Sequence, residues 1–275
     1  SKLGGAHASV MTDYLSAILQ RKRRENERRH RHAAARGPVS REAEPRRAER
    51  AIHALRRRDG RPPSVIAEVK FRSPSAGEIR PKAPGEAVAV ARGYERGGAA
   101  AVSVLADGPG FGGSPLLVRS VAAAVEVPVL YKGFVLDPIQ VDLAFDVGAS
   151  LVLLLVRALD DSQLRSLIAR IRELGMEPVV EAANAEEVDR ALAAGSTIVG
   201  VNARDLSTFR VDKEAAAACV ARIPSDHVAV FMSGVRSDDD FRGVAEGRAD
   251  AVLIGEGLMR AADPGVRLAE LLGSD

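Results

Sequence analysis

The chain has 275 residues, 46% hydrophobic and 28% charged, which is long enough to bury one substantial core. Its formal net charge of +2 favours no polyanionic partner for the chain as a whole. A single cysteine, Cys219, excludes an intramolecular disulfide framework and fits a reducing compartment, so we expect a cytoplasmic protein. The apolar runs fall well short of the ~20 residues that a membrane helix needs, which argues against a membrane protein.

The amino-terminal part differs in composition from the rest. Residues 1–10 resemble a tag remnant, and we expect them to be disordered. Residues 11–61 predict a helical, Arg-rich extension. Within it, residues 37–61 are rich in Pro, Arg and Glu, which predicts a mobile connector with a short apolar helix at 51–55.

The first half of this extension predicts one long helix over residues 14–36. Apolar side chains at Leu15 and Ile18 form a small patch, and a dense run of Arg, Lys and Glu follows it. The basic side chains could contact nucleic acid. Because Glu25 and Glu27 interrupt the run and no aromatic platform accompanies it, the pattern favours a solvated face and no nucleic acid.

After residue 61, short apolar strands alternate with amphipathic helices. The predicted strands are 65–69, 100–105, 127–131, 151–156, 177–180, 198–201, 228–231 and 251–254. The predicted helices are 86–96, 115–125, 138–147, 162–174, 185–193, 213–221, 238–246 and 264–272. Eight strand–helix units indicate an α/β fold, a (β/α)8 TIM barrel over residues 62–275. An open doubly wound sheet is the alternative, but its Gly-rich phosphate turn is missing after the first strand.

Two charges stand at the end of the first predicted strand. Glu68 and Lys70 are two residues apart, so a strand directs both side chains to one side. Inside a buried strand such charges are costly unless they are paired or used. Because active sites of these barrels lie at the carboxyl ends of strands, the pair predicts an acid and an ammonium group that face a ligand. A structural ion pair is the alternative.

Strands three and five also end in ionisable residues. Lys132 follows the third apolar run and can act as a general acid if a carboxylate lies nearby in a partly dry pocket. Taken alone, this position fits an exposed surface lysine better, because most lysines are exposed. Glu181 directly follows the fifth apolar run. Asn184 is a predicted N-cap, which leaves Glu181 outside the next helix.

Strand six ends with Asn202 and Arg204, again two residues apart, so both can reach one ligand. An arginine fork suits a carboxylate or a phosphate. Pairing of Arg204 with a nearby acid such as Asp205 is the alternative.

Strands seven and eight end in small residues. Ser233 and Gly234 follow the seventh strand, and Gly255 and Glu256 follow the eighth. In these barrels the two corresponding loops often bind phosphate through backbone N–H groups. Two such turns at neighbouring strand ends predict a phosphorylated small-molecule substrate. With lysines and carboxylates at the other strand ends, the pattern indicates acid–base chemistry on a small anion.

Two longer stretches are specific enough to suggest a family. They are the IAEVKFRSPS stretch from residue 66 and the VNARDL stretch from residue 201. With shorter motifs such as AVSVL, FGGS and VLYKGF, they resemble indole-3-glycerol phosphate synthase, a barrel enzyme of tryptophan biosynthesis. That family closes, decarboxylates and dehydrates a carboxyphenylamino-deoxyribulose phosphate, and the resemblance implies a carboxy-lyase.

The resemblance implies a role for each motif residue. Lys132 would be the general acid and Glu181 the base, while Glu68 would support proton transfer and Lys70 would bind the anthranilate carboxylate. Substrate would contact Ser73, Phe111, Asn202, Arg204 and Ser233, and the phosphate would contact Gly234, Gly255 and Glu256. The family needs no metal and no organic cofactor. We expect a monomer or a weak homo-oligomer, without a membrane or nucleic-acid partner.

The sequence departs from the family pattern at three places. Gly133 stands where the family usually has Asp, Met232 where it usually has Glu, and Ala182–Ala183 where it usually has Val-His. These changes leave two alternatives open. One is a paralogue that acts on a substituted anthranilate conjugate, and the other is a barrel that binds a sugar phosphate or a partner protein without turnover.

Overall fold

A computed structural model describes residues 3–36, 40–44, 46–205 and 209–273. Eight parallel strands form a closed barrel, in which each strand pairs with the next and the last pairs with the first. The strands are β1 Ser64–Val69, β2 Ala101–Leu105, β3 Val129–Lys132, β4 Leu151–Leu155, β5 Glu177–Ala182, β6 Ile198–Asn202, β7 Val228–Met232 and β8 Ala251–Ile254. The predicted (β/α)8 barrel is confirmed.

Helices precede the barrel and surround it. They are α1 Leu3–Arg36, α2 Arg47–Leu55, α3 Glu86–Arg96, α4 Pro115–Ala122, α5 Pro138–Asp146, α6 Asp161–Glu173, α7 Ala185–Ala193, α8 Lys213–Val220, α9 Asp238–Ala245, α10 Glu256–Met259 and α11 Pro264–Leu272. A short hairpin, Arg72–Ser73 with Gly77–Glu78, follows β1. None of the helices in the described ranges is long and apolar enough to cross a membrane.

The predicted boundaries differ from the observed ones mainly at strand ends. The third strand begins at Val129 rather than at residue 127, after Pro128, which has no N–H group for the ladder. The fifth strand continues past residue 180, because Glu181 and Ala182 pair with the neighbouring strand β6. Glu181 therefore lies on a strand, where the ladder fixes its backbone.

Strand β1 shows how the alternation of side chains places a charge inside the barrel. Val65, Ala67 and Val69 pack outward with the surrounding helices. Ile66 packs inward with the barrel interior, so the period of two also directs Glu68 inward. The sequence-based placement of Glu68 is thereby confirmed.

Helix α2 covers the barrel at the end where the strands begin. Ala51 and Leu55 are fully buried and pack with inward residues of the strands, such as Ile66 and Leu130. The expectation of a mobile connector is therefore wrong for this segment. The barrel interior buries the apolar stripe of this helix, which lies within the predicted segment 51–55, and the helix itself begins four residues earlier, at Arg47.

Helix α1 is attached to the opposite end of the barrel. Asp107, just after β2, is almost fully buried and accepts ion pairs from Arg21 Nη2 at 2.6 Å and Lys22 Nζ at 2.5 Å. Asn26 Nδ2 donates to Gln140 Oε1 at 2.8 Å. The helix begins at Leu3, earlier than predicted. Part of the basic run thus holds α1 on the barrel. Ser1, Lys2 and residues 37–39 lie outside the described residues.

We predict that Leu55→Ala lowers the free energy of unfolding by about 2–5 kcal/mol, because it leaves a cavity where α2 closes the barrel interior. Urea denaturation measures the change. His53→Ala is the matched control, since this side chain is exposed on the same helix and its loss should change stability by less than about 0.5 kcal/mol. Equal effects of the two substitutions would contradict the assigned role of α2.

Candidate active site

The centre of the site is a carboxylate held between two ammonium groups. Glu68 Oε1 lies 2.7 Å from Lys70 Nζ, and Glu68 Oε2 lies 3.0 Å from Lys132 Nζ. Ser103 Oγ donates a hydrogen bond to Glu68 Oε2 at 3.3 Å. The Glu68 side chain is 1% exposed and each lysine side chain 19%, so the ammonium groups lie between the carboxylate and solvent.

This arrangement fixes the charge of both partners. Burial alone would raise the pKa of Glu68, but the ammonium groups of Lys132 and Lys70 outweigh it and lower that pKa to about 2. Burial alone would lower the pKa of Lys132, but Glu68 and Glu181 outweigh it and raise that pKa above its ordinary value. Glu68 is therefore ionised and Lys132 protonated at neutral pH.

Glu181 lies in a different environment on the neighbouring side of the barrel. Its side chain is buried, and Asn202 Nδ2 donates to its Oε1 at 2.9 Å. Burial raises the pKa of Glu181 above its ordinary value, although Lys132 and the Asn202 hydrogen bond partly offset that effect. The site thus holds one carboxylate that stays charged and one whose raised pKa makes it easier to protonate.

A cavity, here called the main cavity, opens above these groups at the carboxyl ends of the strands. One side of it is apolar and is formed by Tyr14, Leu15, Ile18, Leu105, Phe111 and Phe134. The rings of Phe111 and Phe134 are 5.8 Å apart between centroids, at 52°. The other side is polar and is formed by Glu68, Lys70, Ser73, Lys132, Asn202, Arg204 and Ser233. The main cavity can therefore hold a flat apolar group next to ionic groups.

A second, smaller cavity, here called the side cavity, continues from the main cavity. The two share Glu68, Lys70, Arg204 and Ser233. The side cavity adds Gly234, Arg236, Gly255 and Glu256 from the loops after β7 and β8. Arg204 and Arg236 both line this cavity, and burial together with the neighbouring Arg236 lowers the pKa of Arg204. Their position suits an anion.

Gly234 and Gly255 of the side cavity lack a side chain for two different structural reasons. Ser233 and Gly234 both have positive φ, 68° and 83°, a conformation that favours glycine and is uncommon for serine. Gly255 leaves room for the ion pair, since a Cβ there would lie 2.8 Å from Glu68 Oε1. Glu256 pairs with Arg260 at 3.0 Å. An anion at this position could therefore use the backbone N–H of Glu256, not its carboxylate.

The structure brings together the residues singled out in the sequence, most of them in the cavity walls. Ser73 also accepts a hydrogen bond from the backbone N–H of Ala76, so its hydroxyl supports the hairpin after β1. Glu181 lies behind Asn202 and contacts the site through it. Leu206 of the VNARDL motif lies outside the described residues.

Sequence reasoning missed several members of the site. Ser103 is inward-facing on β2, and an alternation of small and apolar residues could have indicated it. Arg236 follows the Ser-Gly turn by two residues, a signal that was available. Tyr14 and Leu15 belong to α1, whose position over the barrel has no local sequence signal.

The positions that depart from the family pattern lie beside the cavities. Met232 is 1% exposed and packs in the barrel interior, where its Sδ fills the space above Gly200. Gly133 faces Tyr131 and Ala106, and the backbone N–H of Ala183 donates to Glu187. Among the described residues that line the two cavities, none of the departing positions occurs.

The described residues also contain no group of three His, Cys, Asp or Glu side chains that could hold a metal ion.

Solved structures resemble this chain in fold. The protein KGPDC from Streptococcus mutans superposes with a TM-score of 0.61 at 13% identity and covers 78% of this chain and 97% of its own. Thiamine phosphate pyrophosphorylase from Pyrococcus furiosus superposes with a TM-score of 0.58 at 16% identity, covering 77% and 94%. At these identities the likeness supports the barrel fold alone.

Sequence comparisons are more specific. The family model for indole-3-glycerol phosphate synthase matches residues 15–271. The indole-3-glycerol phosphate synthase of Mycobacterium ulcerans is 45% identical over 208 residues, which is 76% of each chain. Indole-3-glycerol phosphate synthase 2 of Streptomyces coelicolor is 46% identical over 211 residues, which is 76% of this chain and 81% of that protein. This chain therefore belongs to the indole-3-glycerol phosphate synthase family.

Proposed function

We propose that this protein converts 1-(2-carboxyphenylamino)-1-deoxyribulose 5-phosphate into indole-3-glycerol phosphate, carbon dioxide and water. The observation that supports this most is the Glu68 carboxylate between Lys70 and Lys132, at 2.7 and 3.0 Å, next to Glu181. Binding of a sugar phosphate alone would not require a buried carboxylate and two ammonium groups in the cavity wall, with a second buried carboxylate of raised pKa behind that wall.

The shape of the two cavities suggests how this substrate would lie. The apolar side of the main cavity, with Phe111 and Phe134, suits the aromatic ring. The side cavity, with Arg204 and Arg236 and the backbone of Gly234, suits the phosphate. Lys70 lines both cavities, so its ammonium can pair with the ring carboxylate while the sugar crosses the space between them.

Ring closure needs an acid at the ketone. The ring carbon that bears the carboxylate attacks the ketone carbon, and Lys132 would protonate the ketone oxygen as it becomes a hydroxyl. The bond to the carboxylate then breaks, and its electron pair restores the aromatic ring as carbon dioxide leaves. Lys132 suits this role because two carboxylates hold it protonated.

Dehydration needs a base and a second proton. Glu181 would take a proton from the methylene carbon next to the nitrogen, while the hydroxyl leaves as water with a proton from a lysine ammonium group. The whole sequence consumes one proton, which balances the charge of the lost carboxylate. The two carboxylates lie in environments that shift their pKa values in opposite directions, so Glu181 exchanges protons and Glu68 keeps Lys132 protonated.

We predict that Lys132→Ala and Lys132→Arg each lower kcat by at least about 100-fold, the range expected for loss of a general acid. Arginine retains the positive charge beside Glu68 but does not release its proton at neutral pH. Release of carbon dioxide from carboxyl-labelled conjugate measures the rate, and Lys82→Ala, an exposed lysine, is the control. Turnover by either Lys132 variant at the wild-type rate would exclude Lys132 as the acid.

A second prediction concerns pH. A base must be deprotonated, so kcat/KM should fall as pH decreases through the pKa of Glu181, which burial raises above 4.5. Asn202→Ala removes a hydrogen bond that stabilises the carboxylate and should move this acid limb to higher pH. Ser73→Ala also alters the cavity wall but leaves Glu181 untouched, and its limb should match that of the wild type. If kcat/KM of Asn202→Ala falls at the same pH as that of the wild type, Glu181 is not the base.

A further inference from the structure

The face of the barrel opposite the active site contains a larger concavity of about 680 Å³, here called the arginine cleft. It lies between helix α2, the beginnings of β1 and β2, and the segment that leads into β3. Its walls carry four arginines, Arg47, Arg50, Arg58 and Arg61, and one carboxylate, Glu126. The proposed reaction uses none of these residues.

The four arginines differ in how their charges are compensated. Arg47 and Arg50 both pair with Glu44, and Arg47 also donates to the backbone oxygen of Ala149. In the described part of the chain, the guanidinium groups of Arg58 and Arg61 form neither an ion pair nor a hydrogen bond, and both residues are exposed. Two guanidinium groups in the cleft are therefore available to a ligand.

The neighbouring arginines of this segment do have partners, so the lack of partners at Arg58 and Arg61 within the described ranges is specific to those two residues. Arg56 Nη2 donates to the backbone oxygen of Asp226 at 2.8 Å, and Arg57 Nη2 donates to that of Ala245 at 2.8 Å. These two side chains fasten the end of α2 to the barrel. Arg58 and Arg61 have no such structural use in the described residues, which leaves ligand binding as a reason for their position.

Like charges that line a concave surface repel one another and concentrate the electrostatic potential inside it. An anion in the cleft would relieve this repulsion. Guanidinium groups bind phosphate and carboxylate oxygens in a two-pronged geometry, which favours such groups over chloride. The volume of the cleft falls within the ~300–1,000 Å³ of small-molecule sites, so a compact ligand fits better than a long acidic segment.

We propose that the arginine cleft binds a small polyanion with at least two phosphate or carboxylate groups, at a site separate from the active site. Arg58 and Arg61 would contribute the free charges, and Arg47 and Arg50 would complete the wall. Because α2 closes the barrel interior with Ala51 and Leu55, a ligand on α2 would also stabilise the folded chain by mass action. This inference does not depend on the reaction proposed above.

Isothermal titration of the full chain with inorganic pyrophosphate at fixed ionic strength tests the proposal. Pyrophosphate also suits the side cavity, so we expect two binding events in the wild type. Arg58→Ala/Arg61→Ala should lose one of them, with its Kd weakened at least tenfold, while turnover of the substrate remains unchanged. The matched control is Arg28→Ala/Arg31→Ala, which removes the same charge from exposed positions on α1 and should retain both events.

Three results would overturn the proposal. One is a single binding event in the wild type that persists in Arg58→Ala/Arg61→Ala. Another is an equal loss in the control variant, which would mean that net charge alone attracts the anion. The third is binding of a poly-glutamate peptide, but not of pyrophosphate, that Arg58→Ala/Arg61→Ala abolishes, because the cleft would then be a surface for an acidic protein segment.

Discussion

A carboxylate with 1% of its side chain exposed can stay ionised only if nearby cations or hydrogen-bond donors compensate for its burial, and Glu68 meets this condition mainly with two lysines. Much of the mouth of the barrel depends on this contact. Strand β1 places the carboxylate, β3 supplies Lys132, and the segment after β1 supplies Lys70. Gly255 after β8 has to lack a side chain, because a Cβ would lie 2.8 Å from Glu68 Oε1. Three separate parts of the chain are thus constrained by the two ion pairs of Glu68.

The same contact separates the tasks of the two carboxylates. Glu68 is held ionised by lysines, whereas Glu181 is buried beside an amide and takes up a proton more readily. The family usually adds a third carboxylate at the end of β7, where this chain has Met232. Met232 packs inside the barrel and does not line the described cavities, so the chain offers no evident reason for an enlarged or less polar ring pocket. A substituted substrate therefore gains no support from that position.

The sequence predicted well what depends on local pattern. Short apolar runs between amphipathic segments located all eight strands, and period-two spacing placed Glu68 inside the barrel. It predicted less well what depends on contacts between distant segments. The attachment of α1 through Asp107 joins residues 86 positions apart, and α2 closes the barrel because its apolar stripe meets inward residues of several strands. The direction of each pKa shift also required the distances between strand ends, since both carboxylates look alike in sequence.

The most direct measurement follows ultraviolet absorbance and fluorescence after the purified chain is mixed with unsubstituted 1-(2-carboxyphenylamino)-1-deoxyribulose 5-phosphate. Formation of the indole ring changes both signals. The proposed mechanism predicts an indole product at an ordinary enzymatic rate, roughly 1 s⁻¹ or faster, because the two lysines and Glu181 are in place without a carboxylate on β7. Binding of the conjugate without formation of an indole would contradict it, since the ion pair at Glu68 would then serve recognition and not chemistry.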